Sequence, residues 1–211
     1  PDEALKASKD LAVEQLPAVV GAEIAWVLAV ITADAGQSGE AVGLAEAGYV
    51  VATRSLDAPH MRFNIADAHI SALLLAGRVK EAIEVADWVR QQAADLPGAA
   101  LLLAPAVQGR AALGAGRVDS ARALLGQAVA GLSASGHATG WGYRYGIPRA
   151  TVLAMCGATG AAVATLEELA TLRRPFRSLD YERSLARAWV AAGSGAVSEA
   201  ITILLSAAQK A

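Results

Sequence analysis

The sequence predicts an all-α solenoid of about five antiparallel helix pairs preceded by a lead helix. Three observations predict it. The 211-residue chain is rich in Ala, Leu, Val and Gly, 55% hydrophobic but only 5% aromatic. Alanine is the best helix former, and a core built from small side chains forces helices to pack closely. A turn signature also recurs: Ala35-Gly36-Gln37, Ala76-Gly77-Arg78, Ala115-Gly116-Arg117, Cys156-Gly157-Ala158 and Ala192-Gly193-Ser194. Its glycines stand 41, 39, 41 and 36 residues apart, the spacing of a repeat architecture. Finally, alternation of period two is absent and the apolar runs are too long for strands.

The elements follow from this punctuation. A lead helix is expected near 2–15. Helix pairs are expected near 17–35 and 39–54, 59–76 and 79–94, 97–115 and 118–134, 139–156 and 160–173, and 179–192 and 196–210. Pro17, Pro59 and Pro97 fall just before three of the first helices, where a missing N–H costs nothing. Each turn glycine closes an apolar run, as a left-handed C-terminal cap does. Five residues after the first four glycines come Ala41, Ala82, Ala121 and Ala162, whereas the fifth pair reaches Ala200 two residues late. Seven before each glycine stand Ala29, Ile70, Gly109, Ala150 and Ala186, mostly small. Pro105 and Pro148 fall inside the first helices of the third and fourth pairs, which should kink them.

Small residues near the middle of the first helix and at the start of the second are packing positions of the tetratricopeptide superfamily, which the chain resembles. The resemblance implies a right-handed superhelical solenoid. It is partial: the spacing is about 40 residues rather than 34, and the family's first-helix Trp and Leu positions are poorly kept. A second resemblance rests on Leu172-Arg173-Arg174-Pro175-Phe176-Arg177-Ser178-Leu179-Asp180-Tyr181-Glu182, followed by Leu185-Ala186-Arg187-Ala188-Trp189. It is similar to the central repeat region of large, MalT-like, ATP-dependent LuxR-type transcriptional regulators. Leu75-Ala76-Gly77-Arg78 with Glu81-Ala82, and Gly140-Trp141-Gly142, have the same character. That resemblance implies a nucleotide-binding module before the repeats and a helix-turn-helix domain after them.

The remaining composition narrows the chemistry. With 18 basic and 20 acidic residues the net charge is -2, and no basic run advertises direct contact with nucleic acid. The single Cys156 cannot form an internal disulfide, which fits a cytoplasmic location. The apolar stretch Leu16–Ala35 contains Glu23 and follows the repeat pattern, so it reads as a packed helix and not a membrane span. No phosphate-binding loop is present, so no cofactor is expected in this segment and ATP belongs to a flanking domain. His60, His69 and His137 are scattered, and no metal site is expected. The acids Glu167-Glu168 and Asp180/Glu182 read as solvated faces. No catalytic set is assigned. The apolar last helix lacks the polar outer face of a capping repeat, so residues 1–211 are expected to be one repeat domain cut from a longer protein.

Repeat register points to a candidate groove. Positions thirteen, ten and six before each turn glycine share one helix face. They give Glu23, Trp26 and Val30; Asn64, Asp67 and Ser71; Leu103, Ala106 and Arg110; Arg144, Ile147 and Thr151; and Asp180, Arg183 and Arg187. Arg110, Arg144, Arg183 and Arg187 would clamp an anionic or carboxylate-bearing ligand. Trp141 and Tyr145 beside Arg144 would wall a pocket at the Pro148 kink. The expected occupant is a small-molecule effector or a peptide of a partner protein, and a homo-oligomer is left open. The leading functional reading is a sensor and scaffold segment that relays binding to ATPase and DNA-binding domains of a LuxR-type regulator. The other is a stand-alone adaptor that holds a partner's peptide or helix.

Overall fold

The computed structural model describes residues 13–54, 58–93, 96, 98, 100–172 and 179–209. Among them every regular element is a helix. We number them α1 (Ala18–Asp34), α2 (Ser38–Ala52), α3 (Met61–Leu75), α4 (Val79–Ala93), α5 (Ala100–Gly114), α6 (Val118–Ala134), α7 (Tyr143–Met155), α8 (Thr159–Thr171), α9 (Asp180–Gly193) and α10 (Val197–Ala208). All ten lie where the turn punctuation puts them. The lead helix expected near 2–15 falls outside the described residues except for Val13–Gln15, which form a 3-10 turn. Pro97 and residues 173–178 of the family-like segment are also outside them.

Four helix ends share one hydrogen-bonded closure. The backbone N–H of Gln37 donates to Thr32 O (3.0 Å), Arg78 to Leu73 O (2.8 Å), Ala158 to Leu153 O (2.9 Å) and Ala196 to Ala191 O (2.9 Å). This six-residue loop needs a left-handed residue before the donor, which glycine supplies without steric cost. Gly36, Gly77, Gly157 and Gly195 supply it, with φ of 79°, 73°, 74° and 84°. The fifth turn therefore closes on Gly195, not on Gly193, which is the last residue of α9. Counted from Gly195, Ala200 sits five residues on, as Ala41, Ala82, Ala121 and Ala162 do in their repeats. The irregularity expected in the fifth pair disappears. Gly136 (φ 79°) ends α6 in the same way, with His137 N–H donating to Leu132 O at 2.8 Å.

The chain divides into two compact units, residues 1–115 and 116–211. In the first, α1 and α2 form an antiparallel pair, α3 packs on both, α4 pairs with α3, and α5 packs on α3 and α4. A Cβ at Gly48 of α2 would lie 2.9 Å from Ala25 Cβ of α1, so this pair approaches too closely for any larger residue there. Small residues bring the helices together, and Phe63, Ile65, Ile70, Leu73 and Leu103 fill what is left. In the second unit α6 packs on α7, α7 on α8, and α9 on α7 and α8, with α10 paired to α9. Tyr143, Ile147, Ala150, Leu169, Leu179 and Ala186 form its central cluster.

Neither internal proline breaks its helix. Pro105 lies within α5 and Pro148 within α7, and both helices run through. Each is the sixth residue of its helix, so it lacks the N–H that would donate to the carbonyl four residues back. The local irregularity lies upstream of Pro148 instead, in a π turn over Ala138–Gly142.

Candidate functional site

The first helices α1, α3 and α5 carry the expected groove positions of the first unit. Asp67 of α3 is 1% exposed, and its Oδ1 lies 2.7 Å from Arg110 Nε of α5, whose side chain is 10% exposed. The two groove residues thus form a buried ion pair between consecutive first helices. Burying either charge alone would cost several kcal/mol, so each is there to satisfy the other. Arg110 is committed to Asp67, and the carboxylate clamp expected of it is occupied from within the chain. Ser71 Oγ donates to Asp67 O at 2.8 Å, one turn back on its own helix. Asn64 Nδ2 lies 3.6 Å from Met61 Sδ. Asn64, Ser71 and Trp26 are half-buried, and they form the polar edge of these helices.

In the second unit Tyr145 and Thr151 are buried, and Thr151 Oγ1 donates to Ile147 O at 3.3 Å. Tyr145 is 2% exposed and packs inside the repeat. Arg144 and Trp141 are half-buried. Trp141 lies in the π turn, its ring centroid 5.3 Å from that of His137, an aromatic contact within the range that stabilises such pairs. Arg183 is half-buried and lies 3.6 Å from Asp180 Oδ1 on the same helix, and Arg187 is exposed. Because the fifth turn closes on Gly195, the rule of thirteen, ten and six residues selects Glu182, Leu185 and Trp189 there. Arg183 and Arg187 are displaced by two residues, about 200° around a helix, from the register they were assigned.

A cluster absent from the sequence reading lies where α2, α3 and α4 meet. The Tyr49 ring lies 5.7 Å from His69 and 5.2 Å, edge-on, from Trp88. Tyr49 Oη and His69 Nδ1 are buried and make no hydrogen bond among the described residues. Burial, with the Asp67 carboxylate adding to it, pushes the Tyr49 phenol well above its ordinary value of 10.0. Burial also lowers the His69 imidazole from 6.5, partly opposed by Glu46. His69 is therefore held neutral. Tyr49 and Trp88 stand on second helices at positions where other repeats carry unrelated residues, so no periodic signal marks them. No group of three or more metal-ligating side chains occurs among the described residues. No described helix is long and apolar enough to cross a membrane.

Two crystal structures match this architecture. Both are of a Podosopora anserina protein described as a putative kinesin light chain with nearly identical TPR-like repeats. One, of a single-residue variant of that protein, is 24% identical over 92% of this chain and 94% of that one, with a TM-score of 0.55. The other is 23% identical over 93% and 98%, with a TM-score of 0.56. The chain thus has a tetratricopeptide-like helical-repeat fold. No family model matches it, and no curated protein matches it in sequence.

Proposed function

We propose that this chain is a helical-repeat scaffold that binds a peptide or helix of a partner protein along its first helices. The observation that carries the reading is the exposure of that face. Trp26, Asn64 and Ser71 in the first unit, and Trp141 and Arg144 in the second, are half-buried on otherwise apolar helices. Aromatic and arginine side chains held in place by their neighbours bind at low entropic cost, which is why they dominate binding hot spots. Packing fixes the helices that carry them, so the surface is preorganised.

The finer assignment, a sensor segment of a LuxR-type regulator, rests on the sequence resemblance over Leu172–Trp189. In that role binding changes the balance between two arrangements of flanking domains, which requires unequal affinity for the two. The test is a peptide-library selection on the folded chain, followed by titration of Trp141→Ala/Arg144→Ala and Trp26→Ala/Asn64→Ala variants. The reading expects at least one pair of substitutions to weaken the selected peptide by about tenfold or more, with the far-ultraviolet circular dichroism unchanged. Unaltered affinity in both would remove the first-helix face from the account.

A further inference from the structure

We propose that the outer face of α2 and α4 takes an arginine side chain of a partner protein, its guanidinium stacked on the Trp88 indole and paired with the Glu46 carboxylate. This site lies on second helices, apart from the first-helix face proposed above, and does not depend on it. The two helices place its parts. On α2, Tyr49 and Val50 follow Glu46 by three and four residues, so the three share one side of the helix. On α4, Glu81, Glu84 and Trp88 are spaced by three and four residues and also share a side. Tyr49 joins the two helices: its ring centroid lies 5.2 Å from that of Trp88, with the ring planes at 78°. That contact holds the indole in place, yet Trp88 remains 38% exposed, and Val50, next to Tyr49, is 55% exposed. An exposed indole held in one orientation attracts a cation through its ring quadrupole.

The charges around the indole favour a cation. Arg78 is held bidentate by Glu81, with Nε donating to Oε1 at 2.7 Å and Nη2 to Oε2 at 2.6 Å. Lys80 stands 3.8 Å from Glu84. Arg90, the remaining cation of α4, lies two residues past Trp88, about 200° around the helix. On the other side of the aromatic contact, α2 carries Glu40 and Glu46 and no basic residue. Glu46 is exposed and makes no ion pair among the described residues. It lies close enough to His69 to act on that imidazole, and the His69 ring is 5.7 Å from Tyr49. His69 is 5% exposed and held neutral by burial, so it does not repel a cation there. An uncompensated carboxylate thus stands beside a fixed, exposed aromatic ring. Arginine suits this combination better than lysine. A guanidinium is planar and weakly hydrated, so it stacks on a ring while its N–H fork holds a carboxylate, whereas an ammonium is a strongly hydrated point charge.

The test is an NMR titration of the folded chain with N-acetyl-arginine methylamide, followed through the indole N–H signals of its 4 tryptophans. The Trp88 signal should shift saturably at millimolar concentrations, while that of Trp189, 41% exposed on α9, should not. The lysine counterpart should bind more weakly, and the uncharged citrulline counterpart more weakly still. Glu46→Gln, at an exposed position, should leave the circular dichroism unchanged and weaken arginine binding by about two- to fivefold. Trp88→Leu, read through the Val50 amide signal, should weaken it by about two- to fivefold as well. A Trp88 signal that does not move, or moves no more than that of Trp189, would overturn the proposal. So would citrulline binding as tightly as arginine, or unchanged affinity in Glu46→Gln. The first-helix face is probed by substitutions at Trp26, Asn64, Trp141 and Arg144, so failure here leaves that reading standing.

Discussion

Replacing Arg110 by methionine removes one half of the ion pair that joins α3 to α5 and leaves Asp67 buried. The carboxylate is 1% exposed, and its Oδ1 lies 2.7 Å from the guanidinium Nε. Breaking a buried ion pair by removing one partner costs roughly 3–5 kcal/mol. With a urea dependence of about 2 kcal/mol per molar for a domain of this size, that is a midpoint shift of about 1.5–2.5 M. The assay is urea unfolding followed by circular dichroism. The companion variant Asp67→Leu/Arg110→Met removes both charges and fills the space with apolar groups. It should recover most of the loss, because replacing both partners of a buried pair is often neutral or stabilising. If Arg110→Met shifted the midpoint by no more than an ordinary surface substitution, or if the double variant were as unstable as the two single losses added together, the pair would not be the buried, mutually dependent contact described.

Two further expectations follow from local geometry. Gly195→Ala forces a Cβ into a left-handed turn and should cost about 1–2 kcal/mol, whereas Gly193→Ala, on helical backbone, should cost less; thermal unfolding of the two variants compares them. His69 is held neutral by burial, its pKa lowered from 6.5. Its contribution to stability should thus be fully present above pH about 6.5 and be lost as pH falls from there through the folded-state value. His69→Phe should flatten that decline in urea midpoints, and an unchanged slope would refute the assignment.

The fold was legible because it is written in turns. Glycines after apolar runs placed all ten helices, and small residues at fixed offsets from them marked the tight contacts. The fifth turn misled because Gly193 and Gly195 lie two residues apart and only backbone conformation separates them. A two-residue slip carries a helical position to the opposite face, which is why Arg183 and Arg187 were assigned to the groove in place of Leu185 and Trp189. The groove itself was half legible. About half of its positions are polar, but polarity does not distinguish a wet face from a buried ion pair. Asp67 and Arg110 are 43 residues apart in sequence, and only packing shows that they meet. Pro105 and Pro148 were legible as prolines inside first helices, and α5 and α7 continue through them.

The central claim is that partners bind along the first helices of the repeats. Hydrogen exchange of the folded chain, with and without a peptide selected for binding, tests it most directly. The account predicts that bound peptide slows amide exchange in first helices, in α1 and α3 around Trp26 and Asn64 or in α7 around Arg144, and leaves the second helices α2, α4 and α8 unchanged. Protection confined to those second helices, with α1, α3 and α7 unaffected, would contradict it.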